Sequence, residues 1–189
     1  MRVFVAIDLP AAIQAELRKR QSEFRSLAPE AHWTRPEGIH VTLKFLGEID
    51  EGSVEKVVAA LTAIGSFAEF EIDVRGFGFF PDARRPRVFW AGIQATGGLA
   101  VLAEHVEETM EPLGFAPEGR AFTPHLTLAR FKIPRPQPGL AAAVEKQGHV
   151  SLGRFQVSQF FLFESKLSPK GAEYRRVARF PKEGIQSRE

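Results

Sequence analysis

The sequence predicts an α+β fold made of two related lobes, and three observations carry that prediction. Strand-like and helix-like segments intermingle without the strict strand–helix alternation of a doubly wound parallel sheet. A segment near the start recurs 85 residues later. The chain of 189 residues is long enough to bury roughly 70% of its unfolded surface around a core of its own. We read residues 1–189 as a single bilobal domain with an internal repeat, 2–44 on 87–129.

The elements follow in order. Arg2 to Ile7 is a short β-branched and aromatic run, expected as a buried strand. Pro10 opens a helix to about Ala28, with Ile13, Leu17, Phe24 and Leu27 on one stripe and Pro29 stopping it. From His40 to Leu46 the residues alternate, with His40, Thr42 and Lys44 on one face and Val41, Leu43 and Phe45 on the other. Asp50 or Ser53 caps a helix whose stripe is Val54, Val57, Val58, Leu61 and Ile64, ended by Gly65. Phe70, Ile72 and Val74 alternate as a strand before the turn-rich GFGFFPDARRP, where Gly76-x-Gly78 reads as turn chemistry. Arg87 to Ile93 repeats the opening strand, and a helix from about Gly98 to Leu113 follows. His125 to Phe131 is a further strand, and the Pro-rich IPRPQPG a loop. A short helix near 140–146 and strands near 149–163 and 172–180 complete the chain, with a frayed polar tail after Pro181.

The repeat is gapless. An offset of 85 puts RVFVA on RVFWA, Arg35 on Arg120 and His40-Val-Thr42-Leu on His125-Leu-Thr127-Leu, with 12 of 43 pairs identical. Two copies at a long period indicate a duplicated lobe rather than a solenoid. Related lobes face each other across a pseudo-twofold axis, where the repeated His and Thr are expected to meet.

Composition narrows the chemistry. The chain has no cysteine, which excludes disulfides, thiolate nucleophiles and Cys-containing metal sites. Its 17 Phe against 1 Tyr supply packing rather than acid/base groups. No apolar stretch approaches the 18 residues of a membrane span, so a cytoplasmic protein without membrane contact, and a monomer, is expected. The net charge of +2 hides a split: residues 1–114 carry −5 and residues 115–189 carry +7. That basic excess suits a polyanion, although a solvated basic surface explains it equally well.

Side chains at i and i+2 of a strand point the same way, so each His-x-Thr offers an imidazole beside a hydroxyl. Two such pairs facing one another form a plan for in-line displacement at phosphorus. One neutral His takes a proton from the nucleophile, one protonated His gives a proton to the leaving oxygen, and the Thr hydroxyls hold non-bridging oxygens. A strained cyclic phosphate needs no metal for this, and no third ligand at metal spacing accompanies the two His. A single His-x-Thr is a weak signal, whereas two joined by a repeat are specific. The residues alone do not say which His is acid and which is base.

The sequence resembles the two-histidine (2H) phosphoesterase superfamily, and within it the RNA 2′,3′-cyclic phosphodiesterases, also called 2′-5′ RNA ligases. The resemblance rests on RVFVAIDLP, WTRPEGIHVTLKFLG from Trp33, PRVFWAG, FTPHLTLAR from Phe122, and LFESKLSPKGAEY from Leu162. It implies a bilobal fold in which two antiparallel sheets line a cleft with helices outside. The implied activity is metal-independent hydrolysis of RNA 2′,3′-cyclic phosphate ends to 2′-phosphomonoesters, without a cofactor, and with possible reversal to 2′-5′ ligation. His125 would then be the proton acceptor and His40 the proton donor, with Thr42, Thr127 and Arg130 on phosphate. Strict alternation from His125 puts Arg130 on the opposite face, so either a twist or strand end redirects it or it is a surface ion-pair residue. Phe45 stands at the equivalent position of the first motif.

Further candidate RNA contacts are Lys44, which shares the His40 face and either holds phosphate or only shades the cleft rim, and Trp33, Phe79, Phe80 and Phe122, each of which either stacks on a base or belongs to the core. Arginines 84, 85, 87, 175, 176 and 179 offer phosphate contacts or a solvated face. His32, His105 and His149 lack a partner motif and read as structural. Two other functions remain: a nucleotide-binding sensor without turnover, and a phosphodiesterase for small cyclic nucleotides.

Overall fold

The computed structural model describes residues 1–169 and 171–182; the tail expected to fray lies, from 183 on, outside them. Nine strands and four α-helices occur in those residues: β1 Arg2–Ile7, α1 Ala11–Arg25, β2 His32–Trp33, β3 Val41–Glu48, α2 Glu51–Ala63, β4 Phe70–Phe80, β5 Val88–Ala95, α3 Gly98–Met110, β6 His125–Arg130, α4 Pro138–Gln147, β7 Ser151–Val157, β8 Phe160–Ser168 and β9 Gly171–Phe180. All ladders are antiparallel, in two sheets of order β3-β1-β8-β9 and β2-β6-β5-β4-β7. The fold is α+β, two sheets about a cleft. Each motif strand stands beside the strand that opens its repeat, β3 by β1 and β6 by β5.

The helices do not stay with their own repeats. Helix α1 packs on the second sheet, where Phe24 sets its ring edge-on to Phe77 and Phe89 at 5.0 and 5.4 Å. Buried Gln21 of α1 donates through Nε2 to the carbonyls of Thr34 and Leu128. Helix α3 in turn lies against β3 of the first sheet. One continuous core results, running from Val3 and Val5 through Leu17, Phe24 and Leu61 to Phe89, Val106, Leu128 and Leu162. A second, smaller cluster of Phe4, Ala6, Phe161 and Phe163, with Tyr174 against it, lines the opposite face of the first sheet. That face is the cleft side.

Several expectations change in detail. Helix α1 ends at Arg25, and Leu27 is largely exposed rather than part of the buried stripe. Asp50 is the cap of α2, its carboxylate accepting from the Ser53 amide at 2.8 Å. Gly76 and Gly78 are not turn residues. Strand β4 runs through both, with Gly76 at φ +68° where the register slips, and Gly78 so close to Trp90 that a Cβ would lie 2.3 Å from the indole.

The gapless repeat is also out of register over its first strand. Phe4 aligns with Phe89 in sequence, yet Phe4 faces the cleft and pairs with Phe45, whereas Phe89 is in the main core. Thr42 pairs with Ala6 and Thr127 with Trp90, so the equivalent of Ala6 is Trp90 and not Ala91. A slip of one residue exchanges the faces of a strand.

Candidate active site

The two motif strands, β3 and β6, approach each other within contact distance at the junction of the sheets. Each His stands at the N-terminal end of its strand, and each uses the same local device. His40 donates from Nδ1 to the Gly38 carbonyl at 3.1 Å, and His125 from Nδ1 to the Thr123 carbonyl at 2.8 Å. A carbonyl only accepts, so Nδ1 carries the hydrogen, and in the neutral ring Nε2 is the free lone pair. The partner is two residues back in both cases, so both rings are locked in one tautomer by their own strand entry.

His40 is 8% exposed, with Phe163, Tyr174 and Phe4 around it at ring distances of 4.4, 5.2 and 5.7 Å. His125 is less enclosed, with Phe80 edge-on to it at 4.8 Å. Burial pushes both imidazoles below their ordinary range. The charged neighbours differ. The Asp8 carboxylate, 3.9 Å from His40 Nε2, pulls His40 back up, whereas Arg130 pushes His125 further down.

A bulge follows each motif and decides what else reaches the cleft. On β6, Thr127 pairs with Trp90 and Ala129 with Phe89, so Leu128 is passed over. The alternation flips there, and Arg130 pairs with Val88 on the face of Thr127 and His125. The redirection that Arg130 required is this bulge. On β3, Thr42 pairs with Ala6 and Lys44 with Val5, so Leu43 is passed over in the same way. Phe45 turns to the cleft beside Phe4, 63% exposed, and Lys44 turns away from it.

Lys44 is therefore not on the His40 face, contrary to the alternation. It is 3% exposed and donates to Glu107 of α3 at 2.5 Å and to the Ala116 carbonyl at 2.9 Å. Two of the aromatic candidates are corrected for the same kind of reason. Phe79 pairs with Phe89 and packs on it at 5.2 Å, toward the main core. Trp33 pairs with core residue Ala129, sets its ring against Phe89 at 6.0 Å and donates from Nε1 to the Ala28 carbonyl. Phe80 is on the cleft face, and Phe122, 38% exposed, lies in the segment leading to His125. Of the arginines, Arg176 is paired with Asp8 and Arg175 with Glu164. His32 pairs across the ladder with Arg130 and shares its face, at the edge of the second sheet.

The residues that sequence reasoning missed are Asp8, Tyr174 and Phe45, together with the carbonyls of Gly38 and Thr123, while Arg176, expected on phosphate or a solvated face, is instead the partner of Asp8. Only Phe45 had a signal, its alignment with Arg130. Among the described residues no three His, Asp or Glu side chains are grouped to hold a metal ion, and no helix is long and apolar enough to cross a membrane.

Comparison with known proteins settles the family. The model of the LigT-like phosphoesterases matches residues 7–90 and 93–174, a segment for each motif. The chain belongs to the LigT-like phosphoesterase family. A relative from Archaeoglobus fulgidus, named RNA 2′,3′-cyclic phosphodiesterase, is 35% identical over 93% of this chain and 97% of its own. One of the same name from Methanothermobacter thermautotrophicus is 32% identical over 92% and 95%. A crystal structure from Thermus thermophilus superposes on this LigT-like phosphoesterase with a TM-score of 0.80 at 32% identity, covering 97% of this chain and all of that one. The E. coli LigT complexed with 3′-AMP shares the fold, with a TM-score of 0.74 at 24% identity, covering 95% of this chain and 96% of that one.

Proposed function

We propose that this LigT-like phosphoesterase hydrolyses the 2′,3′-cyclic phosphate at an RNA end to a 2′-phosphomonoester, without a metal, using His125 as base and His40 as acid. The observation that carries the reading is the pair of tautomer-locked imidazoles on adjoining strands, each with Nε2 free and a Thr hydroxyl on its face. The names of the two archaeal relatives support the substrate.

In the reaction, Nε2 of neutral His125 takes a proton from water as the water oxygen bonds to phosphorus opposite O3′. The P–O3′ bond breaks, and protonated His40 gives its Nε2 proton to O3′. Phosphate remains on O2′, a 3′-hydroxyl is released, and the two histidines return to their starting states by exchange with solvent. Thr42, Thr127 and Arg130 hold the non-bridging oxygens as charge builds on them. Phe45, Phe80 and Phe122 are the aromatic surfaces left on or near the cleft for a base to stack on. A 5′-hydroxyl in place of water, deprotonated by His125 as it bonds to phosphorus while O3′ leaves with the His40 proton, gives a 2′-5′ linkage, and the two histidines exchange jobs when that linkage is cleaved back to the cyclic phosphate.

The test is an RNA oligonucleotide ending in a 2′,3′-cyclic phosphate, incubated with protein and chelator, with the position of the product phosphate mapped. A 2′-phosphate formed at an undiminished rate is expected. A 3′-phosphate, or loss of turnover with chelator, overturns the mechanism, and binding without product leaves the sensor reading in its place.

A further inference from the structure

We propose that Asp8, clamped by Arg176, is a positioning residue for His40 that fixes which of the two near-identical motifs donates the proton. The inference rests on the acid/base reading above and adds what breaks the symmetry of the pair.

Asp8 follows β1 directly, and its Oδ1 lies 3.9 Å from His40 Nε2, the nitrogen that the Gly38 carbonyl leaves free. That distance is too long for a hydrogen bond to the neutral ring and short enough for a strong charge interaction with the imidazolium. The carboxylate is not free to swing away. Its Oδ1 accepts from the Leu9 amide at 2.9 Å, and its Oδ2 accepts from Nε and Nη2 of Arg176. Arg176 is held in turn with its guanidinium 4.6 Å over the Phe161 ring, on the cleft face of the first sheet. The charged and titratable groups facing His40 are thus Asp8 from the end of β1 and Arg176 and Tyr174 from β9, with the aromatic rings of Phe4 and Phe163 closing the remaining sides.

The second motif has the opposite surroundings. The charged group acting on His125 is a cation, Arg130, brought to its face by the bulge. A carboxylate beside one imidazole favours its charged form, and a guanidinium near the other favours the neutral form. Burial lowers both imidazoles, and against that shared background Asp8 moves His40 toward the form an acid needs while Arg130 moves His125 toward the form a base needs. The two motifs are interchangeable in sequence, His-x-Thr-Leu each, so the distinction comes from outside them: from Asp8 and Arg176 in one lobe and from Arg130 in the other.

The experiment follows both histidines of the full chain by NMR titration of labelled imidazoles, without ligand, in wild type, Asp8→Asn and Arg176→Gln. Asn keeps an acceptor for the Leu9 amide while removing the charge. Asp8→Asn is expected to lower the His40 midpoint by about one pH unit, and to leave His125 in place. Arg176→Gln removes a cation that opposes the imidazolium and is expected to raise the His40 midpoint, the opposite sign; general loosening of the site relieves burial and raises the midpoint in either variant, so the fall in Asp8→Asn is the result that loosening does not produce. In the pH profile of kcat/KM on RNA 2′,3′-cyclic phosphate, Asp8→Asn is expected to move the alkaline limb to lower pH and leave the acidic limb alone. A His40 midpoint unmoved in Asp8→Asn, or moved the same way by both variants, overturns the role of Asp8 and leaves the two-histidine chemistry standing. A moved His40 midpoint with a displaced acidic limb overturns the acid assignment of His40 and, with it, the selection of donor by Asp8.

Discussion

Lys44→Met separates the alternation read from sequence from the bulged strand, because the two give this side chain different work. If Lys44 lined the cleft, its loss would weaken phosphate binding and leave the fold alone. In the structure its side chain is 2% exposed, with the ammonium bonded to Glu107 at 2.5 Å and to the Ala116 carbonyl at 2.9 Å. Removing one partner of a fully buried pair costs ~3–5 kcal/mol. Glu107 is 23% exposed and recovers part of its hydration, and Met refills the space of the lysine stem, so a loss of about 2 kcal/mol is expected. For a chain of this size that lowers Tm by about 4–8 °C. Replacing both partners, Lys44→Met with Glu107→Leu, is expected to return stability to within about 1 kcal/mol of wild type, since no charge is then left without its partner. Urea and thermal unfolding of the four proteins of the double-mutant cycle supply the numbers, and kcat/KM at 25 °C on RNA 2′,3′-cyclic phosphate is expected to stay within about threefold in all of them. Unchanged stability with a loss of more than about tenfold in kcat/KM would refute the bulge argument and return Lys44 to the phosphate site.

The motif residues give sharper kinetic outcomes. His40→Ala and His125→Ala are each expected to lower the rate by at least ~10²-fold with the fold intact by circular dichroism, and near-normal turnover in either removes that residue from the mechanism. Arg130→Met removes a charged donor aimed at the cleft and is expected to cost about 10–100-fold in kcat/KM and to flatten its salt dependence, whereas Phe45→Ala is expected to raise KM several-fold with little change in kcat. Stability has its own pH dependence. His40 and His125 are pushed down by burial, so the unfolded chain binds more protons than the native one as pH falls toward the ordinary histidine range. Their contribution is present above that range and lost as pH falls through their native values. The urea midpoint of wild type is therefore expected to drop between pH 7.5 and pH 5.5, and a His40→Gln/His125→Gln double variant to drop less.

Most elements were legible because their signals are local. The apolar run at Arg2–Ile7, the stripe of Ile13, Leu17 and Phe24, and the cap at Asp50 each depend on residues within a turn or two. What escaped depends on distant partners. The strand through Gly76 and Gly78 reads as turn chemistry until Trp90 is known to need a floor without a Cβ. The packing of α1 on the second sheet and α3 on the first leaves no mark in a repeat alignment, since either helix has one apolar face whichever sheet it covers.

The site divides along the same line. His40, Thr42, His125 and Thr127 were legible because i and i+2 share a face wherever a strand is regular. Beyond Thr42 and Thr127 the strands are not regular, and the bulge exchanges the faces: Arg130 comes in, Lys44 goes out, and Phe45 takes the place that alternation gave to Lys44. Bulges belong to a pair of strands rather than to one, so neither β3 nor β6 announces its own. The bulge does the same thing in both repeats, yet it delivers a cation in one and an aromatic ring in the other. Duplication thus preserved the geometry of the two motifs while the residue aimed three places past each Thr diverged. The first lobe presents an apolar surface beside its His and the second a positive one, which suits a substrate with a base on one side of a phosphate. In the proposed mechanism, that asymmetry, together with Asp8 beside His40, is what lets two copies of one motif perform opposite halves of a proton exchange.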